Sequence, residues 1–160
     1  MKYIIHVTTS LILFLVISSC DLGQEPDIGG VVLQEMTGEW WVNIYLEGQP
    51  IFGYTLLSTY NTAANNSSDL FVDDHAVWPC KVVATADAPS KSFIGASLQN
   101  YYDESIQVNI IEGKILDGQA ISTGGNTTDS IFVRFAFSDD PNNEYVYAGY
   151  RRTGFLEDEH

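Results

Sequence analysis

From Thr37 onward, apolar residues recur at every second position in short runs broken by turn residues, and no long window carries a helical period. Trp40, Val42, Ile44 and Leu46 alternate with Trp41, Asn43 and Tyr45, which puts one apolar face on a single strand. Phe52–Tyr60 is a second aromatic and β-branched run, and Leu70–Val72 a short third. Lys81–Ala86 and Ser92–Ile94 follow, parted by Asp87-Ala88-Pro89-Ser90, and then Ile106, Val108 and Ile110 alternate with Gln107 and Asn109. Glu112-Gly113 and Asp117-Gly118 are expected to be tight turns around a short strand, Lys114–Leu116. The last two strands, Ser130–Ser138 and Glu144–Arg152, are joined by Asp139–Asn143, a segment with hairpin composition. About eight to ten short antiparallel strands in one domain, residues 37–160, predict an all-β fold, either a sandwich or a single up-and-down barrel. An aromatic residue in nearly every strand favours the barrel, whose lumen must be filled or lined.

The first 36 residues read differently. Lys2 precedes an apolar run, Leu11–Ile17, of signal-peptide length, and two small residues lead to Cys20. His6, Thr8, Thr9 and Ser10 interrupt the stretch, which falls short of the roughly 20 apolar residues a spanning helix needs. Ile17-Ser18-Ser19-Cys20 resembles the lipobox of bacterial lipoproteins. That resemblance implies cleavage of a signal peptide (residues 1–19), a diacylglyceryl group on the Cys20 thiol and an acylated new amino terminus. More than one acyl chain gives stable membrane anchoring where a single chain gives only marginal binding. Residues 20–36 carry Gly, Pro and acids without periodicity, and are expected to form the lipidated terminus and a flexible tether. An exported protein lipid-anchored to the outer membrane, on its periplasmic or cell-surface side, is the location implied. Asp21, Glu25 and Asp27 loosely resemble the surface-export signals of Bacteroidetes lipoproteins.

Asp and Glu number 21 against 7 Lys and Arg, a net charge of −14. Such a chain lacks the clustered cations that neutralise phosphates, which argues against nucleic acid as a partner. Anionic head groups would repel it too, so membrane association is expected from lipid on Cys20 rather than from a basic surface. With Cys20 lipidated, Cys80 has no disulfide partner and is expected to be a buried, inert thiol.

Gly38-Glu39-Trp40 opens the first strand as the Gly-x-Trp signature does in lipocalins, and Arg151-Arg152 ends the last one. In lipocalins an arginine near the last strand packs over that tryptophan, so the resemblance implies a cation–π contact between Trp40 and either Arg151 or Arg152 that closes the barrel base. A wider likeness is carried by Thr59-Tyr60-Asn61-Thr62-Ala63-Ala64-Asn65, Asn126-Thr127-Thr128-Asp129-Ser130-Ile131, Phe137-Ser138-Asp139-Asp140-Pro141 and Gly149-Tyr150-Arg151-Arg152-Thr153-Gly154-Phe155. Together they resemble a family of Bacteroidetes lipoproteins described as lipid-binding proteins or hydrolases with a lipocalin-like β-barrel. The resemblance spans about Gly38 to Asp158 and implies that barrel and a lipid or small apolar ligand.

Candidate residues for that ligand are aromatic: Trp41, Tyr45, Tyr54, Tyr60, Trp78, Tyr145, Tyr147 and Tyr150, each offering a flat apolar face and a polar tip. Packing of the core or barrel girdle is the competing role for each. Arg134 would meet a carboxylate inside the barrel if it shares a face with Phe132 and Ala136. The richer apolar set Ile131, Val133, Phe135 and Phe137 instead favours solvent for it. For hydrolysis there is no Gly-x-Ser-x-Gly elbow, and His75 in Asp73-Asp74-His75 is the one candidate general base, for a lipoprotein esterase reading. No cofactor is implied. Asp139, Asp140 and Glu144 carry oxygen ligands without EF-hand spacing, so turn formation is the expected role and no metal is assigned. Asp129-Ser130-Ile131 resembles the short O-glycosylation sequence of Bacteroidetes, which would need Ser130 exposed at a strand end. A third reading, besides lipid binding and ester hydrolysis, is a surface accessory protein that binds glycan or protein through exposed tryptophans.

Overall fold

The computed structural model describes residues 30–75 and 77–160. Residues 1–19, the lipidation candidate Cys20 and the tether up to residue 29 lie outside the described residues. Val31–His160 form one compact unit. Within it, eight strands close into an antiparallel up-and-down barrel in which each strand pairs with its sequence neighbours and the last pairs with the first. The strands are β1 (Gly38–Leu46), β2 (Gln49–Asn61), β3 (Asp69–Asp73), β4 (Lys81–Asp87), β5 (Ser92–Gln99), β6 (Gln107–Ile121), β7 (Thr127–Phe137) and β8 (Asp140–Arg151). The seam between β1 and β8 runs in unbroken register from Trp40 opposite Arg151 to Leu46 opposite Tyr145.

The period-2 pattern sets the inside of the barrel. Trp40, Val42 and Ile44 on β1, Leu57 on β2, Leu70 and Val72 on β3, and Val82 and Ala84 on β4 are buried. So are Phe93 on β5, Val108, Ile110 and Ile115 on β6, Ile131, Val133, Phe135 and Phe137 on β7, and Tyr145 and Tyr147 on β8. Side chains therefore fill the interior, as an eight-stranded barrel permits.

Three local expectations are corrected. Glu112-Gly113 and Asp117-Gly118 do not turn the chain; β6 runs through both, with register shifts between Ile110 and Glu112 and between Leu116 and Ala120. Gly113 serves close packing rather than a turn: the Phe93 ring lies where a Cβ at this position would collide with the ring edge. The β7–β8 connection is tighter than Asp139–Asn143, since Phe137 already pairs with Asp140. The compact unit also begins before Thr37, with Leu33 and Met36 buried in its core beside a short 3-10 turn, Gln34–Met36.

The two ends differ. The base is plugged by Leu33 and Met36. Arg151 lies 4.4 Å over the Trp40 ring, donates from Nη1 to the Thr37 carbonyl at 2.7 Å, and pairs through Nε with Asp129 at 3.0 Å. Trp40 Nε1 donates to Thr59 Oγ1 (2.9 Å), which donates to the Met36 carbonyl (2.6 Å). The opposite end, the mouth, is covered by the β3–β4 connection. There the buried Asp74 carboxylate accepts from the backbone N–H groups of Trp78 (3.0 Å) and Cys80 (3.1 Å) and from the Tyr147 hydroxyl (3.3 Å). A buried carboxylate with several donors is tolerated because its charge is hydrogen-bonded.

Candidate functional site

At the mouth, the Trp78 indole rests on Tyr145 (ring centroids 5.2 Å) and Phe137 (6.1 Å) while remaining 37% exposed. Below it Phe137 meets Phe135 at 5.8 Å, and Phe135 meets Tyr147 at 4.9 Å. These rings form one aromatic column from solvent down into the barrel. Each ring comes from an inward position of β7 or β8, so strand alternation builds the column and the Asp74-capped turn sets Trp78 on top. Tyr145 donates to the Asp140 carboxylate (2.6 Å), and that bond, followed by burial, raises its pKa to about 12. Its hydroxyl is therefore a fixed donor at the rim.

Of the proposed ligand residues, only Tyr145 and Tyr147 point inward, with Trp78 above them. Trp41, Tyr45, Tyr54, Tyr60 and Tyr150, candidates for the lining or the rim, sit at outward positions of their strands and so do not line the lumen. Trp41 is nonetheless only 8% exposed: Arg152 lies 5.7 Å over its ring and His160 meets it edge-on at 5.5 Å. It is no open platform. Tyr54 stacks on His160 at 3.9 Å, and the Tyr150 hydroxyl lies 2.7 Å from His160 Nε2. Arg134 also faces outward, because Val133 and Phe135 take the inside, and it bridges Glu112 (3.5 Å) and Glu144 (3.4 Å). The lumen thus receives no Arg134. Ser130 lies half-buried within β7, between Leu116 and Tyr150. Asp140 is engaged by Tyr145 and Asn143, and among the described residues no group of three acid, His or Cys side chains could hold a metal.

A second cluster lies outside the barrel where β2 and β3 part. Ser58 is the register partner of Asp73, and Asp73 of Lys81, so the three share the outer face of adjacent strands. Ser58 Oγ lies 2.7 Å from His75 Nε2. His75 holds a left-handed backbone (φ 55°), pinned by its N–H to Asp73 Oδ1 at 3.0 Å. The same carboxylate accepts from the Tyr60 (2.7 Å) and Tyr102 (2.8 Å) hydroxyls and faces Lys81 Nζ at 3.7 Å. Burial alone would raise the Asp73 pKa, but hydrogen bonds from Tyr60, the His75 backbone and Tyr102 outweigh it and hold the group below the ordinary carboxylate value. Burial and the Asp73 carboxylate push Tyr102 up to about 12. Sequence reading found His75 but not Ser58, which has no local signal: 17 positions separate the pair and only the β2–β3 register joins them.

No curated protein matches the chain. Among solved structures, a chain from Bacteroides ovatus described as structural genomics, unknown function (2.40 Å resolution) is similar at 11% identity and a TM-score of 0.44. The match covers 74% of this chain and 43% of that one, so this protein spans less than half of that neighbour's length. The family model described as "lipid-binding putative hydrolase" matches residues 25–156, most of the chain and the entire barrel, and the protein belongs to that family.

Proposed function

We propose that this protein is an exported, lipid-anchored lipoprotein whose barrel binds a neutral lipid or another small apolar molecule at the Trp78 mouth. The observation that carries the reading is the half-open aromatic column of Trp78, Tyr145, Phe137 and Phe135, the place where an apolar chain meets both solvent and a route inward. Because the interior is filled, the ligand enters by displacing Trp78 from Tyr145 and Phe137 and taking over its contacts, an exchange of one apolar surface for another. The family description supports a lipid as ligand. Charge narrows the class. Arg134 faces outward, and Asp74, Asp139 and Asp140 stand beside Trp78, Tyr145 and Tyr147 at the mouth, so a fatty-acid carboxylate would be buried there without a cation. A monoacylglycerol or similar neutral amphiphile suits it better.

The test is a titration of the full chain with the neutral fluorophore N-phenyl-1-naphthylamine, followed by displacement with a monoacylglycerol and with the matching fatty acid. Saturable binding is expected, with the neutral lipid the better competitor. Trp78→Asp sets a charge in the entry and is expected to weaken binding by at least about tenfold, the effect of ~1.4 kcal/mol. Binding that ignores Trp78→Asp, or no saturable binding, overturns the site. Anchoring through Cys20 rests on the Ile17–Cys20 sequence alone. It is tested by incorporation of labelled fatty acid, which Cys20→Ala should abolish.

A further inference from the structure

We propose that Ser58 and His75 form a nucleophile–base pair that hydrolyses a carboxylic ester on the outer face of the barrel. The pair is held at bonding distance, with Ser58 Oγ 2.7 Å from His75 Nε2, close enough for direct proton transfer. Ser58 is set on a strand paired on both sides, opposite Glu39 and Asp73, so its position is rigid. His75 is held in a left-handed conformation that a residue with a Cβ adopts at a cost, and the Asp73 carboxylate pins it there through the backbone N–H. In that conformation the imidazole reaches Ser58 on β2. Asp73 is itself fixed by two tyrosine hydroxyls, so the base is positioned by a built network rather than by one surface bond. Lys81, across from Asp73, adds positive charge on the same face, where an anionic intermediate would develop. Phe71, Tyr101 and Tyr102 give that face an apolar lining for the acyl group; Tyr101 and Tyr102 are 55% and 44% exposed.

The reaction balances with water as the only co-reactant. Ser58 Oγ attacks the ester carbonyl carbon while its proton passes to His75 Nε2. Collapse of the tetrahedral adduct breaks the bond to the alkoxide, which leaves as the alcohol with that proton. Water then attacks the acyl-serine, giving its proton to His75, and Ser58 departs with the proton returned, releasing the carboxylic acid.

The pair lies on the outer face while the mouth ligand would sit at Trp78, and serine labelling and fluorophore binding are separate readouts, so either reading can fail alone. The full chain is treated with a fluorophosphonate probe, which phosphonylates activated serines, and the adduct is located by mass spectrometry. Turnover of p-nitrophenyl butyrate is followed in parallel. Labelling of Ser58 is expected. His75→Gln is expected to slow it at least 100-fold and to flatten its pH profile, and Ser58→Ala to remove both labelling and turnover. A hydrogen bond that merely tethers the turn would leave Ser58 unlabelled, which overturns the proposal, as would equal labelling in His75→Gln. Should Ser58→Ala fold poorly, Ser58→Cys supplies a second readout. Its thiol, activated by His75, is expected to react with iodoacetamide faster than free cysteine, and a rate no faster would equally reject the pair.

Discussion

Cys80 is 1% exposed beneath the mouth, and burial, reinforced by the charges of Asp74 and Asp73, pushes its thiol pKa well up. A protonated thiol without access is a poor nucleophile. In the native protein Cys80 is therefore expected to resist alkylation under conditions where the denatured chain reacts fully. Fast native labelling at position 80 would show that the mouth opens by itself. Trp40 presents the opposite chemistry, a ring fully enclosed by Arg151, Thr59 and the plug at the base. Trp40→Ala removes the largest buried side chain and is expected to cost about 3–5 kcal/mol, read from urea unfolding. The sequence pointed to both residues, Cys80 as a cysteine left without a disulfide partner and Trp40 through Gly38-Glu39-Trp40. It did not point to Asp74 as a buried cap or to Ser58, because each acts through partners that the fold brings from elsewhere.

At the scale of elements, the turn between β6 and β7 is latched by the segment after β8. Asp158, fully buried, accepts from Asn126 Nδ2 (3.0 Å), Thr153 Oγ1 (2.7 Å) and the Gly124 N–H. Burial opposes its charge, but the hydrogen bonds prevail and hold its pKa well below the usual aspartate value. A depressed carboxylate stabilises the fold above its unfolded pKa of about 3.9 and loses that contribution as pH falls through its lower folded value. Asp158→Asn is thus expected to lower the melting temperature at neutral pH, with the gap to wild type closing in acid; a constant gap would mean that charge is not what holds the latch. Three of the four motifs that carried the family resemblance meet at this end, while the fourth, residues 137–141, lies at the mouth. Thr59 bonds Trp40, Asp129 pairs with Arg151, and Asn126 and Thr153 bond Asp158. Those three build the closure of the base.

For the whole molecule, closure depends on how closely β8 approaches β1. Gly149 lies opposite Val42 and Ile131, where a Cβ would run into the Trp41 carbonyl, a backbone atom that cannot yield. Gly149→Ala is expected to destabilise the barrel by about 3 kcal/mol, the upper part of the usual range for overpacking. Hydrogen exchange should quicken first along β1 and β8. Protection unchanged along that seam would show that the strands shift to make room. The same closure decides which ends are covered: Leu33, Met36 and Trp40 close the base, and Trp78 lies over the other end.

The sequence by itself determined the all-β class, because two-residue periodicity is a local property, and the resemblance it carries implied a contact of Trp40 with Arg151 or Arg152, of which the structure places Arg151 over the ring. It also placed the family. Only the tertiary structure decided which tyrosines face inward, that β6 runs through two apparent turns, and that Ser58 meets His75. Bulges shift register and so exchange inside for outside, and barrel closure chooses partners across the chain. Neither effect is written in the spacing of any one segment.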